Sequence, residues 1–302
     1  MNYYSVLDHL FVMRPMLHLP VWTIAILGFY AYKQPQKDNL TLLLILAVVS
    51  GLSAGAFILN QIYDIESDRL NDKLHFLPRQ YVRVGTAWLM FALLNLGSLA
   101  LAIAISFTAG LTGLLIMLLG VLYSVPPLAL KNRTWPAAVI NGIGPGMLVF
   151  VLGYCAAGGS LISAIAHSLP YLFAVIAVYI ATTIPDIEGD SKSGKLTIGV
   201  IYGEKQSRQL IIIFYLLSIF AGAIFLAKPL LIAAAISLPF YIWLLHIKTS
   251  QSISLTAKIS ILSLTLVAIG TYPVYGIIAV VMVLATRAYY QNRFGMKYPS
   301  LN

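Results

Sequence analysis

The sequence predicts an all-α, polytopic membrane protein, and three observations predict it. Of its 302 residues, 60% are hydrophobic and only 10% charged, and the mean hydropathy is +0.88. A water-soluble protein of this length could not cover its surface with so few charges. The apolar runs have the length of helices that cross hydrocarbon, and they exceed what barrel strands need. The interruptions between these runs carry Lys and Arg, as membrane-flanking loops do.

Nine spans are expected, at residues 16–33, 40–61, 84–106, 109–125, 136–157, 166–185, 208–227, 229–248 and 262–289. The first follows Asp8, His9 and Arg14, which sets it apart from a cleaved leader. An acidic window closes the second, and the third begins after Arg83. The fourth is short because Ser124-Val-Pro126-Pro127 breaks it. The fifth carries Asn141-Gly-Ile-Gly-Pro-Gly, whose glycines favour close helix packing and whose Asn141 is a candidate for a cavity-facing group. The sixth ends in a second acidic window. The seventh and eighth flank Lys228. The ninth is interrupted by Pro273, and Leu255–Ile261 ahead of it reads as a short interfacial helix. Residues 1–302 read as one membrane-embedded domain, built as two related four-helix halves and a ninth helix.

Sorting the 19 Lys and Arg by side places thirteen with the N-terminus and the loops after spans two, four, six and eight. That excess marks this side, N-terminus included, as cytoplasmic in a multi-pass protein of the cell membrane, and an odd span count puts the C-terminus outside. The same bias accounts for the formal net charge of +9, since no basic run, aromatic stacking pattern or zinc spacing points to nucleic acid. The one cysteine, Cys155, excludes an intrachain disulfide and lies in an apolar stretch as a small hydrophobe. The five scattered histidines fit capping and interfacial roles.

Seven of the ten acidic residues fall in the two windows. In the first, Asn60, Asp64 and Asp68 recur at i, i+4 and i+8, one face of a helix, and Asp72 would extend the stripe. In the second, Asp186 and Asp190 repeat the spacing, with Thr182 in the place of Asn60. Glu66 and Glu188 lie off both stripes. Stacked like charges at a bilayer edge repel one another unless a cation sits between them. Hard oxygen donors in this number suit Mg²⁺, which binds one or two carboxylates together with substrate phosphate oxygens and water. Basic residues beside the windows suit a polyanion: Arg14, Arg69, Lys73, Arg79 and Arg83, Lys131 and Arg133, Lys192 and Lys195. As plain loop acids, the windows would simply pair with Arg69, Lys73, Lys192 and Lys195. The matched spacing on one membrane face argues for a site.

These motifs resemble those of the UbiA superfamily of intramembrane prenyltransferases. Asn60-x-x-x-Asp64-x-x-x-Asp68 and Asp186-x-x-x-Asp190 are similar to its two aspartate-rich motifs. Tyr123-Ser-Val-Pro-Pro-Leu-Ala-Leu-Lys131 resembles its segment after the fourth helix, and Gly194-Lys195-Leu-Thr197 with Gly203 resembles its sixth-helix signature. Arg14-Pro15 resembles its first-helix pair, whereas Pro78-Arg79 reverses the family's usual Arg-Pro. The resemblance implies two Mg²⁺ ions held by Asn60, Asp64, Asp68, Asp186 and Asp190, the four aspartates being catalytic. It implies diphosphate contacts from Arg14, Lys73, Tyr123, Lys131 and Lys195. The implied reaction moves a prenyl group from an isoprenyl diphosphate, through an allylic carbocation, to a lipophilic and often aromatic acceptor. The implied partners are that donor, that acceptor and membrane lipids, with no protein partner evident. The rival reading is a cation- or proton-coupled transporter, whose acids would stand near the midplane rather than at span ends.

Overall fold

The computed structural model describes residues 3–33, 38–70, 76–246 and 249–299. Among these residues all regular structure is helical. A short helix, α1 (Tyr3–Phe11), turns through Pro15–Leu17 into α2 (His18–Ala31). There follow α3 (Asn39–Tyr63), the short α4 (Ile65–Leu70), α5 (Val84–Ile105) and α6 (Phe107–Ser124). A π-helical segment (Gly142–Leu148) joins α7 (Thr134–Asn141) to α8 (Val149–Ala156). The remainder comprises α9 (Leu161–Thr183), the short α10 (Ile187–Lys192), α11 (Ile198–Ile224), α12 (Lys228–His246), α13 (Ser250–Thr271) and α14 (Val274–Phe294).

Helix ends follow local chemistry. Asp38 caps α3 by accepting from the Leu40 and Thr41 amides, and Ser106 caps α6 by accepting from that of Ala109. Helix faces are apolar nearly all round, as lipid-facing helices must be. They pack closely where side chains are small: a Cβ on Gly199 would lie 2.6 Å from the Thr183 carbonyl oxygen of α9. In the π segment, Gly142 and Gly146 back onto α9 as their residue type suggested, while Gly144 faces open space. Pro145 has no amide to donate, and a widened turn accommodates it there.

Among the described residues ten helical stretches are long and apolar enough to cross a membrane, where nine spans were expected. The difference lies at Pro273. The stretch expected as one helix over 262–289 is two, α13 and α14, with Tyr272 extended between them and Pro273 at the N-cap of α14. Proline cannot donate into the preceding turn and its ring clashes with that turn's carbonyl, so it ends one helix and opens the next. Leu255–Ile261, expected as a separate interfacial helix, is part of α13.

Contacts between α1 and α14 hold the two ends of the helical region together, which corrects the expectation that they lie at opposite ends of the bundle. Asp8 of α1 accepts from Tyr289 and from Arg293 Nη2 at 3.2 Å, both on α14. Phe11 stacks on Tyr289 with ring centroids 3.7 Å apart. The same cluster takes in Ile58 near the end of α3 and Ala87 near the start of α5. The end of α14 therefore stands beside the first acidic motif. The charge asymmetry sharpens accordingly: Arg287, Arg293 and Lys297 join the basic end, and among the described residues only Lys33 and Lys228 lie toward the other.

Candidate active site

Both acidic motifs sit where a spanning helix breaks and a short one begins. α3 stops at Tyr63, yet the Asp64 amide still donates to the Asn60 carbonyl at 3.0 Å and the Asp68 amide to that of Asp64 at 2.8 Å. The i, i+4 stack of Asn60, Asp64 and Asp68 survives the break. At the end of α9, Asp186 is the N-cap of α10, and the Asp190 amide donates to its carbonyl at 2.8 Å. Like charges stacked in this way weaken a continuous helix, and each helix breaks at its motif.

Two loops knit the motifs together. After α10 the chain reverses at Gly194, whose φ of +71° is the left-handed conformation glycine adopts without strain. The reversal returns the Lys195 amide to the Asp190 carbonyl at 3.0 Å and its Nζ to within 3.6 Å of Asp190 Oδ1. The Thr197 hydroxyl donates to Asp190 Oδ2 at 3.2 Å. The next contacts cross to the α6–α7 connection: the Leu196 amide donates to the Asn132 carbonyl at 2.9 Å, and the Thr134 hydroxyl to the Leu196 carbonyl at 2.7 Å. This seam carries Lys131 to the first motif. Its Nζ lies 2.7 Å from Asp64 Oδ1 and donates to Asn60 Oδ1 at 2.9 Å. Lys131 is 9% exposed; burial pulls its ammonium below the ordinary lysine value, and Asp64 beside it opposes that shift.

The remaining sequence candidates fall as follows. Tyr123, at the end of α6, interacts with Asn141 of α7 and Tyr179 of α9, within the fields of Asp64 and Asp190. Arg14 lies just before α2 in a left-handed conformation, φ 53°, and lines the cavity beneath the first motif. Asp186 is exposed. Lys73 and Asp72 lie outside the described residues. Glu188, off the stripe, pairs instead with Lys192 at 2.6 Å on the surface, and that neighbour holds its carboxyl below the usual range. Thr182, placed by spacing opposite Asn60, donates to the Tyr179 carbonyl at 2.7 Å and lines a cavity.

Beneath this polar cap lie two apolar lobes. One, of about 270 Å³, runs from Asn60, Tyr123 and Arg14 down between α3, α6 and the π segment, past Leu52, Ala56, Ile116 and Gly120. The other, of about 310 Å³, lies among α2, α9, α11, α12 and α13. Leu17, Val21, Phe57, Asn141 and Pro145 border both, so one partition of side chains divides them. Asn141 is the polar group on that partition. Sequence reasoning named it as cavity-facing but missed Phe57 and Tyr179, and it quoted Thr197 within a motif without giving it a role. Phe57 and Tyr179 look like any other aromatic residue of a span.

The donor set fits Mg²⁺ of the kind that shares its shell with substrate. Asn60, Asp64 and Asp190 present oxygen already directed at ammonium cations. Among the described residues no three carboxylates, histidines or cysteines converge to hold an ion alone. Magnesium does not require such a cage: one or two carboxylates suffice when phosphate oxygens and water complete the octahedron.

Fold, motif placement and chamber together define an intramembrane enzyme class with an ionic cap over a lipid-sized cavity. The chain belongs to the UbiA prenyltransferase family, whose model matches residues 21–262. It is an integral membrane protein. It is 28% identical over 221 residues to a digeranylgeranylglyceryl phosphate synthase of Thermococcus gammatolerans, covering 72% of this chain and 75% of that one. It is 32% identical over 160 residues to 2-acyl-4-prenylphloroglucinol 6-prenyltransferase of Humulus lupulus, covering 49% of this chain and 38% of the hop protein's length. In three dimensions it is similar to a UbiA homolog from Archaeoglobus fulgidus bound to GPP and Mg²⁺, with a TM-score of 0.67, 22% identity, and coverage of 87% of this chain and 99% of that one.

Proposed function

We propose that this protein transfers a prenyl group from an isoprenyl diphosphate to a lipophilic acceptor within the membrane. The carrying observation is the Lys131–Asp64 and Lys195–Asp190 pairs, joined by the Leu196–Asn132 seam directly above an apolar chamber. A polyanion with a hydrocarbon tail fits that layout. Its diphosphate meets cations at the cap and its chain enters the lobe under Asn60 and Tyr123. Two Mg²⁺ ions, held by Asn60, Asp64 and Asp68 on one side and Asp186 and Asp190 on the other, would neutralise the charge that develops on the leaving diphosphate. Lys131, Lys195, Arg14 and Lys73 add cationic contacts to its oxygens, each a charge-assisted bond. Tyr123 and Tyr179 interact with each other and line the two lobes, where aromatic rings would stabilise the electron-poor allylic carbon. The apolar walls exclude water, which would otherwise capture that carbon.

The basic end, carrying both motifs and both chain ends, faces the cytoplasm in this reading. A soluble donor reaches the cap from there, and the acceptor comes from the bilayer. Purified protein in nanodiscs, given Mg²⁺, labelled prenyl diphosphates and membrane lipid extract, should yield a labelled lipid whose mass equals the acceptor plus the prenyl group less one hydrogen. Failure to bind any prenyl diphosphate in a Mg²⁺-dependent manner, together with ion flux in liposomes, would replace this reading with a transporter.

A further inference from the structure

We infer that the acceptor is an uncharged lipid, a terpenoid or aromatic compound with no carboxylate or phosphate at its reacting end. The inference rests on the prenyltransferase reading and concerns the 310 Å³ lobe. The donor's diphosphate belongs at Asn60, Lys131 and Arg14, so its chain falls into the lobe that opens beneath them. That leaves the lobe under Tyr179 and Thr182 for the acceptor.

Among the described residues no lysine, arginine, histidine or acid lines that lobe. Its hydroxyls are already engaged. Thr23 is bonded to Thr265 and Tyr275 at 3.1 and 3.0 Å. Tyr215 and Ser237 both donate to the Ala234 carbonyl, at 2.8 and 3.1 Å. Ser218 donates to the Pro170 carbonyl at 2.8 Å, and Ser260 to that of Thr256 at 2.8 Å. A wall built in this way offers hydrocarbon and ring faces, including the Tyr215–Tyr241 stack at 3.5 Å between centroids, and few free donors. An ionised headgroup drawn into it would lose its water and gain no partner. An alkene or arene loses nothing, and its π electrons are the nucleophile the reaction needs.

The step balances without an added reagent. The donor's C–O bond breaks and its electron pair leaves with diphosphate. The acceptor's π pair forms the new C–C bond. A proton on a carbon next to the resulting acceptor cation, which in an arene is the attacked carbon itself, then passes to the released diphosphate, the base that the reaction itself produces.

The test offers the full chain in nanodiscs one prenyl diphosphate, Mg²⁺ and four acceptors: an acyclic C40 polyene, an uncharged alkylated hydroquinone, 4-hydroxybenzoate and a glycerophosphate ether lipid. Donor binding is measured separately by calorimetry. Transfer to an uncharged acceptor should exceed transfer to either anion by about a hundredfold, the size of an uncompensated polar burial. Equal or better use of an anionic acceptor overturns the inference, as does donor binding with no transfer to either uncharged compound. Absent Mg²⁺-dependent donor binding overturns instead the reading beneath it. Leu264→Trp and the milder Ala234→Leu fill this lobe. Each should raise the acceptor KM about tenfold or more and leave donor affinity within about twofold, because neither borders the donor lobe. An unchanged acceptor KM in both variants, with folding intact by gel filtration, also overturns it.

Discussion

Lys131 Nζ stands 2.7 Å from Asp64 Oδ1, bonding a residue of the α6–α7 connection to the last turn of α3. The ammonium neutralises Asp64 and also donates to Asn60. In the function proposed above, Asn60 and Asp64 would hold a divalent ion instead, and Lys131 would then be free to meet the diphosphate.

Lys131→Ala should therefore weaken Mg²⁺-dependent binding of a non-hydrolysable donor analogue. Loss of one charge-assisted contact is worth about 1.5–3 kcal/mol, roughly 10- to 150-fold in affinity. Lys195→Ala should cost less, since its ion pair is longer, at 3.6 Å, and more exposed. Calorimetry on both variants checks the order, and a larger loss at Lys195 would contradict it.

Asp64→Ala and Asp190→Ala should each reduce turnover by more than about a hundredfold, since each removes a proposed ligand to the leaving-group metals. Asp64→Ala also strips the buried Lys131 of its ion-pair partner and should lower stability, so both variants are compared at matched folded protein, judged by gel filtration. Retention of more than about half the activity in both would discard the two-metal assignment.

Topology can be read by labelling. In a Cys155→Ala background, Ser193→Cys and Lys297→Cys should react with an impermeant thiol reagent from the same face, the cytoplasmic one. Ser160→Cys, exposed in the α8–α9 connection, should react from the opposite face. Opposite labelling at residues 193 and 297 would restore an odd span count.

The Asp8 cluster should matter for stability more than for chemistry. Removing one member of a buried ion pair costs about 3–5 kcal/mol, on the order of 10 °C in midpoint for a chain of this size. Asp8→Ala should show such a fall on heating in detergent, and Arg293→Ala a similar one. The double variant should lose less than the sum, because the two groups interact directly. Additive losses would mean the contact carries no coupling.

The acidic stripes were legible in sequence because helical periodicity is local: Asn60, Asp64 and Asp68 share a face whatever else the chain does. The helix break in the first motif was not legible, since nothing at Tyr63 distinguishes a bend from a continued turn, whereas Pro185 marks the second as a residue that cannot donate into the preceding turn. Lys131 and Lys195 could be named as cations, but their meeting depends on the Leu196–Asn132 and Thr134–Leu196 hydrogen bonds, which link residues more than sixty positions apart. The two lobes depend on how several helices pack around Phe57 and Pro145, which no window of sequence contains. Pro273 was seen as an interruption. Its consequence was misjudged because an apolar stretch on either side of a proline reads equally well as one kinked helix or as two.

Asp8 and Tyr289 are separated by 281 positions in the chain. At ordinary elongation rates of about 5–20 residues per second, the ribosome needs on the order of half a minute between the two. Throughout that interval the carboxylate must wait in water or against lipid headgroups, because its partners do not yet exist. The closing of α14 onto α1 is then a late event of folding, and it completes the flank beside the first aspartate motif. A nascent chain stalled before Arg293 would carry every proposed metal ligand and still lack that flank.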